Sequence, residues 1–396
     1  MNTANTWVLT DVDQGVWLDT LELDHRTAGL PEGAFIRKRT RHGGLTDGVD
    51  VVEVHNGAFS FTVLPTRGMG LWRGNYRGLH VGWQPPVRGP VHPKFVHPAE
   101  RGGLGWLAGF DECIVRCGLE SNGAPCDDVI PSNTGAPTTV RLTLHGRIAN
   151  IPAHYVAMEI VPGPQPELVV TGVVDEAMLF CPQFRLTTRI STRLGSNAVT
   201  LSDRITNLAA TPQELELLYH CNFGNPFLEP GARLVLAAAQ TAARDAEALA
   251  DLDRWATYAG PTAGYIEKCY WHEPLGDAAG QSVAMLRNAA GTQGAALRFN
   301  TRELPCFTQW KNCGAMSDGY VTGLEPGTNY PNPRTFERAQ GRVIRLEPGQ
   351  EHTATVTLEI HDTAAGVQGI EAEIAALQAN RPHRVHPAPR KEWSPE

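Results

Sequence analysis

Two histidines and a glutamate stand where strand-like stretches end or have just ended: His145 in LTLHGRIANIP, His220 in LLYHCNFGNPF and Glu325 in TGLEPGTNYPN. Imidazole titrates near ~6.5 and a glutamate carboxyl near ~4.3, so near neutral pH the trio offers a proton donor beside a proton acceptor. Acid–base help of this kind is worth about 10²- to 10⁴-fold when both groups reach the reacting atoms. Opening a sugar hemiacetal asks for nothing more. The ring oxygen gains a proton while the anomeric hydroxyl loses one, and neither a metal nor a nucleotide is required.

Other side chains are suited to hold a polyhydroxylated ring. Trp83, Trp106, Trp271 and Trp310 offer flat apolar faces to the C–H side of a sugar, and Lys311 follows Trp310 in CFTQWKN. Asn222, Asn225 and Asn332 donate and accept at once. Arg67, Arg101, Arg116 and Arg147 carry guanidinium forks, with Arg67 and Arg147 the preferred pair; several converging on one place would indicate an acidic or phosphorylated sugar. Each has a structural alternative: a core histidine for His220, a turn for Glu325 in a Leu-Glu-Pro-Gly that recurs at 346–349, a bend at Gly146 for His145, and burial for the tryptophans. His272 and Glu273 in YWHEP raise a different arrangement, in which His145, His220, His272 and a carboxylate hold zinc or manganese, though the local histidine spacing of a strong metal motif is absent.

The elements that must position these groups read as strands. Apolar and polar residues alternate over 50–57, 58–66, 139–146, 154–161, 167–176, 183–194, 198–208 and 213–223, the period of antiparallel strands with one buried face, so a large β-sandwich is expected. Helical spacing is confined to 241–258 and 366–380. Residues 342–362 read as a hairpin around EPGQE, and the Pro- and charge-rich 381–396 as a loosely held tail. Residues 83–136 are rich in Pro, Gly and Trp and are expected to insert as long loops over the site. The organisation expected is one domain over 1–380, opening with strands and loops over 1–48, and then the tail.

With 42% hydrophobic and 19% charged residues over 396, a sizeable core can form, and the formal net charge of -8 opposes a general nucleic-acid surface. The eight cysteines are scattered; Cys113, Cys117 and Cys126 lack the second close pair of a zinc site, so reduced and mostly buried thiols are expected. There is neither a signal-peptide pattern nor an apolar run of about eighteen residues. The expectation is a cytoplasmic protein, monomer or homodimer, that meets a small-molecule sugar and neither nucleic acid nor membrane.

YHCNFGNPF resembles the galactose mutarotase motif in which a catalytic histidine is followed by Asn and aromatic residues. LHGRIANIPA resembles that family's His-Gly strand end, and GLEPGTNYPNP with LEPGQEHTATVTLEI resembles its catalytic glutamate segment and closing hairpin. LPTRGMGL, RGGLGWLAGFDECIVRCGL, LHGRIANIPA, FTQWKN and GLEP together resemble a bacterial aldose-1-epimerase-like family over roughly residues 50–360. The resemblance implies an all-β, galactose-mutarotase-like β-supersandwich with a few short peripheral helices, and an isomerase of aldose 1-epimerase type that needs no cofactor. It implies His220 as the acid to the ring oxygen, Glu325 as the base to the anomeric hydroxyl and His145 as a substrate-binding partner. Arg67, Arg147, Asn222, Asp111, Trp310 and Lys311 complete the expected sugar site. The family's acidic sugar-hydroxyl ligand has no matching position, which leaves Asp111, Glu112 and Glu273 open for it. Two other functions would use the same cleft: a metal-assisted isomerase, lyase or hydrolase acting on an oxidised sugar, and a non-catalytic carbohydrate-binding module.

Overall fold

The period-two stretches all become strands, among them Asp50–His55, Phe59–Leu64, Pro137–Leu142, Tyr155–Val161, Glu167–Ala177, Gln183–Arg193, Ala198–Asn207 and Gln213–Phe223. The computed structural model describes residues 5–395; residues 1–4 and 396, the extremes of the expected N-terminal segment and tail, lie outside the described residues. The strands assemble into a ten-stranded sheet, a fourteen-stranded sheet and a two-stranded ribbon. Leu168, Val170, Leu186, Ile190 and Leu201 of the ten-stranded sheet share one core with Ile36, Val52, Phe59 and Phe61 of the other. Each such side chain stabilises the stack by about 1.5–3 kcal/mol relative to exposure. Among the described residues no helix is long and apolar enough to cross a membrane. All eight cysteines are unpaired, and all but Cys181 are buried.

A buried ion pair ties the two sheets together. Arg116, on Ile114–Leu119, donates from Nε and Nη2 to the carboxylate of Asp203 on Ala198–Asn207, and it also donates to Thr188 and to the carbonyls of Gly68 and Met69. The Tyr219 hydroxyl donates to the same carboxylate at 2.6 Å. Both charges are dry, the Arg116 side chain 1% and that of Asp203 0% exposed, so each depends on the other. Arg116 is therefore an inter-sheet clamp, not a sugar ligand.

Four expectations about elements need correcting. Residues 83–136 are not loops throughout: Ile114–Leu119 is an inner strand of the fourteen-stranded sheet and Cys126–Pro131 pairs with Pro137–Leu142. Most of 241–258 is not helical: its start completes the strand Ala238–Ala243, because that edge pairs with Lys268–Pro274, and tertiary pairing overrides the Ala-rich propensity. Only Ala246–Leu249 forms an α-turn, capped by Asp245, and Leu252–Arg254 a 3₁₀ turn. The helix expected at 366–380 does form, as Ala364–Gln378, burying Val367, Ile370 and Ile374. The 342–362 stretch is not a hairpin: Ile344–Leu346 pairs with the start of Gln213–Phe223, whereas Glu351–His361 joins Ala198–Asn207 and Gly294–Asn300. Nor is the tail loose. Arg384–Val385 adds a short parallel strand beside Ala238–Ala243, Trp393 packs on Tyr330 at 5.3 Å, and the Trp271 indole N–H donates to Ser394 Oγ at 2.8 Å. One anchoring tryptophan outweighs the Pro and charge content that suggested mobility.

Because removing one partner strands the other as a buried charge, Asp203→Ala should lower unfolding stability by about 3–5 kcal/mol. Urea denaturation measures this, and a loss below ~1 kcal/mol would show that the clamp carries little of the sandwich.

Candidate active site

Neighbouring strands of the fourteen-stranded sheet make a floor in the order Ala238–Ala243, Lys268–Pro274, Cys306–Asn312, Val321–Gly327, Gln213–Phe223, Ile114–Leu119. Cys221 lies opposite Leu324, which sets His220 opposite Glu325; Glu325 in turn faces Thr308, and Thr308 faces Trp271. Directly opposed residues share a face of a sheet, so His220, Glu325, Thr308 and Trp271 form one row across four strands. Two residues along each strand runs a second row, in which Trp310 faces Gly323 on one side and Cys269 on the other. Gly323 is required by space. A Cβ there would stand 2.2 Å from Glu325 Oε1 and 3.0 Å from His220 Cε1.

His220 Nε2 and Glu325 Oε1 are 3.2 Å apart. Glu325 Oε1 has no hydrogen-bond partner among the described residues, so the two atoms stand side by side without being bonded to each other. Asn222 sets the ring's tautomer. Its Nδ2 donates to the carbonyls of Glu112 and His220 at 3.0 and 3.1 Å, which leaves its Oδ1 to accept from His220 Nδ1–H at 2.6 Å. Nδ1 thus carries a fixed proton and Nε2 is the exchanging atom. His145 is held likewise, its Nδ1 donating to the Asn122 carbonyl at 2.8 Å, with Asn122 in turn tied to Glu216 and Asn329. His145 has a left-handed φ of 58°, and Gly146 after it packs against backbone so closely that a Cβ would meet Ser121 O at 2.2 Å.

Desolvation governs the charges here. Burial drives His220 well below the ordinary histidine value, with His145 adding to the effect, and drives Glu325 well above the ordinary carboxyl value, with Glu267 adding and Arg244 opposing. His145 is pushed down to about 4, again by burial. Burial thus favours the uncharged form of each group, the neutral imidazole of His220 and the protonated carboxyl of Glu325.

A cavity of about 660 Å³ opens over this floor. Trp106 and Phe110, from the expected loop insertion, flank the histidines, with ring centroids 4.6 Å between Trp106 and His145 and 5.1 Å between Phe110 and His220. Trp310 lies 5.4 Å from His220. Leu104, Leu107, Pro125, Leu144, Pro331 and Pro333 make the walls largely apolar, and Ser394 and Pro395 close one end. The guanidinium of Arg244 is held by Asp245 at 2.7 Å and Glu267 at 3.1 Å, and Trp310 donates to Glu267 at 2.7 Å.

Of the expected site residues, the fold gathers His145, His220, Glu325 and Trp310 on the cavity, together with Trp106, Trp271 and Asn332. The others lie elsewhere. Arg67 is buried and spent on Glu112, on Asn150 and on the carbonyls of Val91 and Gly109. Arg147 lies outside the lining, near the carboxylates of Glu120 and Glu176. Asn222 stands behind His220 as its positioner. Asp111 accepts from the Trp72 indole, and burial, with the Glu112 carboxyl adding, pushes it up to about 8. Lys311 points to the other face from Trp310, as period two requires, and bonds Asp251 and the carbonyls of Arg254 and Thr257. Trp83 packs behind the wall and donates to the Glu112 carbonyl. Glu112 pairs with Arg67, and Glu273 is exposed beside Gln240, so neither serves as the acidic ligand. His272 bonds Thr241 on the reverse face, and among the described residues no three His, Cys, Asp or Glu side chains cluster as metal ligands.

Arg244, Asp245, Glu267, Cys269 and Thr308 also line the cavity, and sequence reasoning missed them. Arg244 and Asp245 were hidden inside the supposed helix. Cys269 and Trp271 alternate along Lys268–Pro274 and Glu267 stands just before it in the same phase, a period-two signal that would have placed them on one face.

Two stacked antiparallel sheets with an imidazole–carboxyl pair on the floor of one define a galactose-mutarotase-like β-supersandwich. Over residues 46–360 the chain matches the family described as a domain of unknown function, DUF4432, and it belongs to that family. It is similar to the crystal structure of a "putative aldose 1-epimerase" from Klebsiella pneumoniae, with 35% identity, 98% of this chain and 99% of that one covered, and a TM-score of 0.92. A galactose mutarotase-like protein from Clostridium acetobutylicum shares the fold at 15% identity and a TM-score of 0.54, covering 83% of this chain and 99% of that one. So does a "putative aldose 1-epimerase" from Escherichia coli, at 14% identity and a TM-score of 0.50, covering 79% and 99%. No curated protein matches the sequence.

Glu325 gives a stability prediction with a definite sign. A carboxyl whose folded pKa is raised contributes stability that is present below its unfolded value, near ~4.3, and lost as pH rises through the folded value. Glu325→Gln does not titrate, so its Tm should exceed the wild type's at pH 8, and the gap should close toward pH 4.5. Calorimetric scans over this range check it; a gap independent of pH would contradict the assignment.

Proposed function

We propose that the protein interconverts the anomers of a neutral aldose by acid–base ring opening on His220 and Glu325. The observation that carries this reading is the pair itself: two proton-exchanging atoms 3.2 Å apart on a dry floor, the imidazole held from behind by Asn222. In a hemiacetal the ring oxygen and the anomeric hydroxyl are bonded to the same carbon, so a donor and an acceptor this close can serve both from one side. If Glu325 holds the exchangeable proton, it protonates the ring oxygen while His220 Nε2 takes the anomeric proton; the C1–ring oxygen bond breaks and C1 becomes the aldehyde carbon. Opening leaves the pair in its other form, with imidazolium beside carboxylate. Rotation about the C1–C2 bond and reclosure on the other face reverse both transfers and restore it. The resemblance implies the opposite pairing, with His220 at the ring oxygen and Glu325 at the anomeric hydroxyl; in this cycle Glu325 serves the ring oxygen and His220 the anomeric oxygen in both opening and reclosure.

His145, neutral and with Nε2 free of its backbone bond, accepts from a sugar hydroxyl. Trp106, Phe110 and Trp310 supply apolar faces, and the buried Trp106 indole N–H, without a partner among the described residues, can donate to the sugar. The charges favour a neutral substrate. The arginines that would recognise an acidic sugar, Arg67 and Arg147, are not on the cavity, and Arg244 is already shared by two carboxylates.

NMR exchange spectroscopy on a panel of aldoses should show enzyme-dependent anomer interconversion that falls on the order of 10²-fold or more in His220→Ala and in Glu325→Gln. Sugar binding without exchange would indicate a non-catalytic module, and unchanged rates in both variants would remove the mechanism. The singly protonated pair is the active form, so kcat/KM should follow a bell. Its acid limb, where His220 gains a second proton, should lie below ~6.5, and its alkaline limb, where Glu325 loses its proton, above ~4.3. Gly323→Ala should cost at least about 10-fold in kcat while circular dichroism stays unchanged, because its Cβ displaces the Glu325 carboxyl. Full activity in that variant would show that the spacing of the pair is not critical.

A further inference from the structure

The cavity extends well beyond the reacting pair. From His220 the row steps through Glu325 and Thr308 to Trp271, and at roughly 4.8 Å per strand this run is about 14 Å, longer than one pyranose ring. The cavity measures about 660 Å³, within the range of roughly 300–1,000 Å³ that takes ligands larger than a single small-molecule fragment. Thr308 is 1% exposed and borders the cavity, yet its hydroxyl has no hydrogen-bond partner among the described residues. A buried hydroxyl left unpaired is costly, and such groups are normally met by a partner. One strand further, Trp271 gives its indole N–H to Ser394 Oγ, which leaves the Ser394 hydroxyl proton for a ligand. The strap residues Ser394 and Pro395 end the cavity on that side.

We propose that this distal half is a second-ring subsite and that the substrate is a neutral reducing disaccharide. This rests on the anomer-interconverting reading above. The reducing ring lies over His220 and Glu325, the Thr308 hydroxyl hydrogen-bonds near the inter-ring linkage, and the second ring packs toward Trp271 until the strap stops it.

The test compares glucose with maltose, cellobiose and lactose, and galactose with galactobiose, by exchange NMR and by titration calorimetry on the full chain. At least one disaccharide should exceed its own reducing-end monosaccharide about tenfold in kcat/KM and in affinity. Thr308→Val, nearly isosteric, should lower that ratio about threefold to tenfold, the loss of one hydrogen bond. Ser394→Trp should abolish the preference by filling the distal end. Monosaccharides handled as well as or better than every disaccharide, or a ratio unmoved by both substitutions, would overturn the subsite. If no sugar exchanges, the proposed activity fails and calorimetry alone decides the subsite: a disaccharide preference that Thr308→Val weakens upholds it, and equal or absent binding overturns it.

Discussion

The site depends on the register between Val321–Gly327 and Gln213–Phe223. With Cys221 opposite Leu324, His220 and Glu325 become direct cross-strand neighbours; a shift of one residue would turn either of them to the far face of the sheet. The space the pair needs comes from the same register, because a side chain at Gly323, two residues before Glu325, would strike both His220 and Glu325. Burial then does the rest. In a dry site the charged form of either group alone is penalised, which drives His220 down and Glu325 up from their ordinary values.

Charges that looked available to a substrate are spent on keeping that register. Arg116 and Asp203 join the sheets one strand away from His220, with Tyr219, His220's own neighbour, bonded into the same carboxylate. Arg67 and Glu112 pair behind the wall, and the Glu112 carbonyl accepts from Asn222, the residue that sets the His220 tautomer. A buried ion pair contributes little net stability against an apolar replacement, but it holds geometry, and here the geometry is that of two atoms.

The strands were legible because each needs only local alternation, and the pairing of His220 with Glu325 on one cavity was legible because their neighbours form motifs. What was hidden depends on partners far along the chain. The Ala-rich 241–243 reads as helix until Lys268–Pro274 is beside it; Ile344–Leu346 and Glu351–His361 read as a hairpin until each finds a different strand; the tail reads as loose until Trp393 meets Tyr330. Arg67 and Lys311 show the same limit for the site. Their chemistry suited a sugar, but which face a side chain takes, and which buried carboxylate claims it, is decided by packing that no short motif records. Thr308 went unnoticed for the opposite reason: an ordinary residue in an ordinary strand becomes conspicuous only when its hydroxyl is found buried without a partner.

The central claim concerns where the anomeric carbon sits. A crystal structure of Glu325→Gln soaked with a reducing sugar tests it most directly, since the amide preserves the shape of the carboxyl while halting exchange. The ring oxygen and the anomeric hydroxyl should lie within about 3.2 Å of His220 Nε2 and of the substituted amide, one to each. A sugar bound with its anomeric carbon away from both, for example against Arg244 and Glu267, would contradict it.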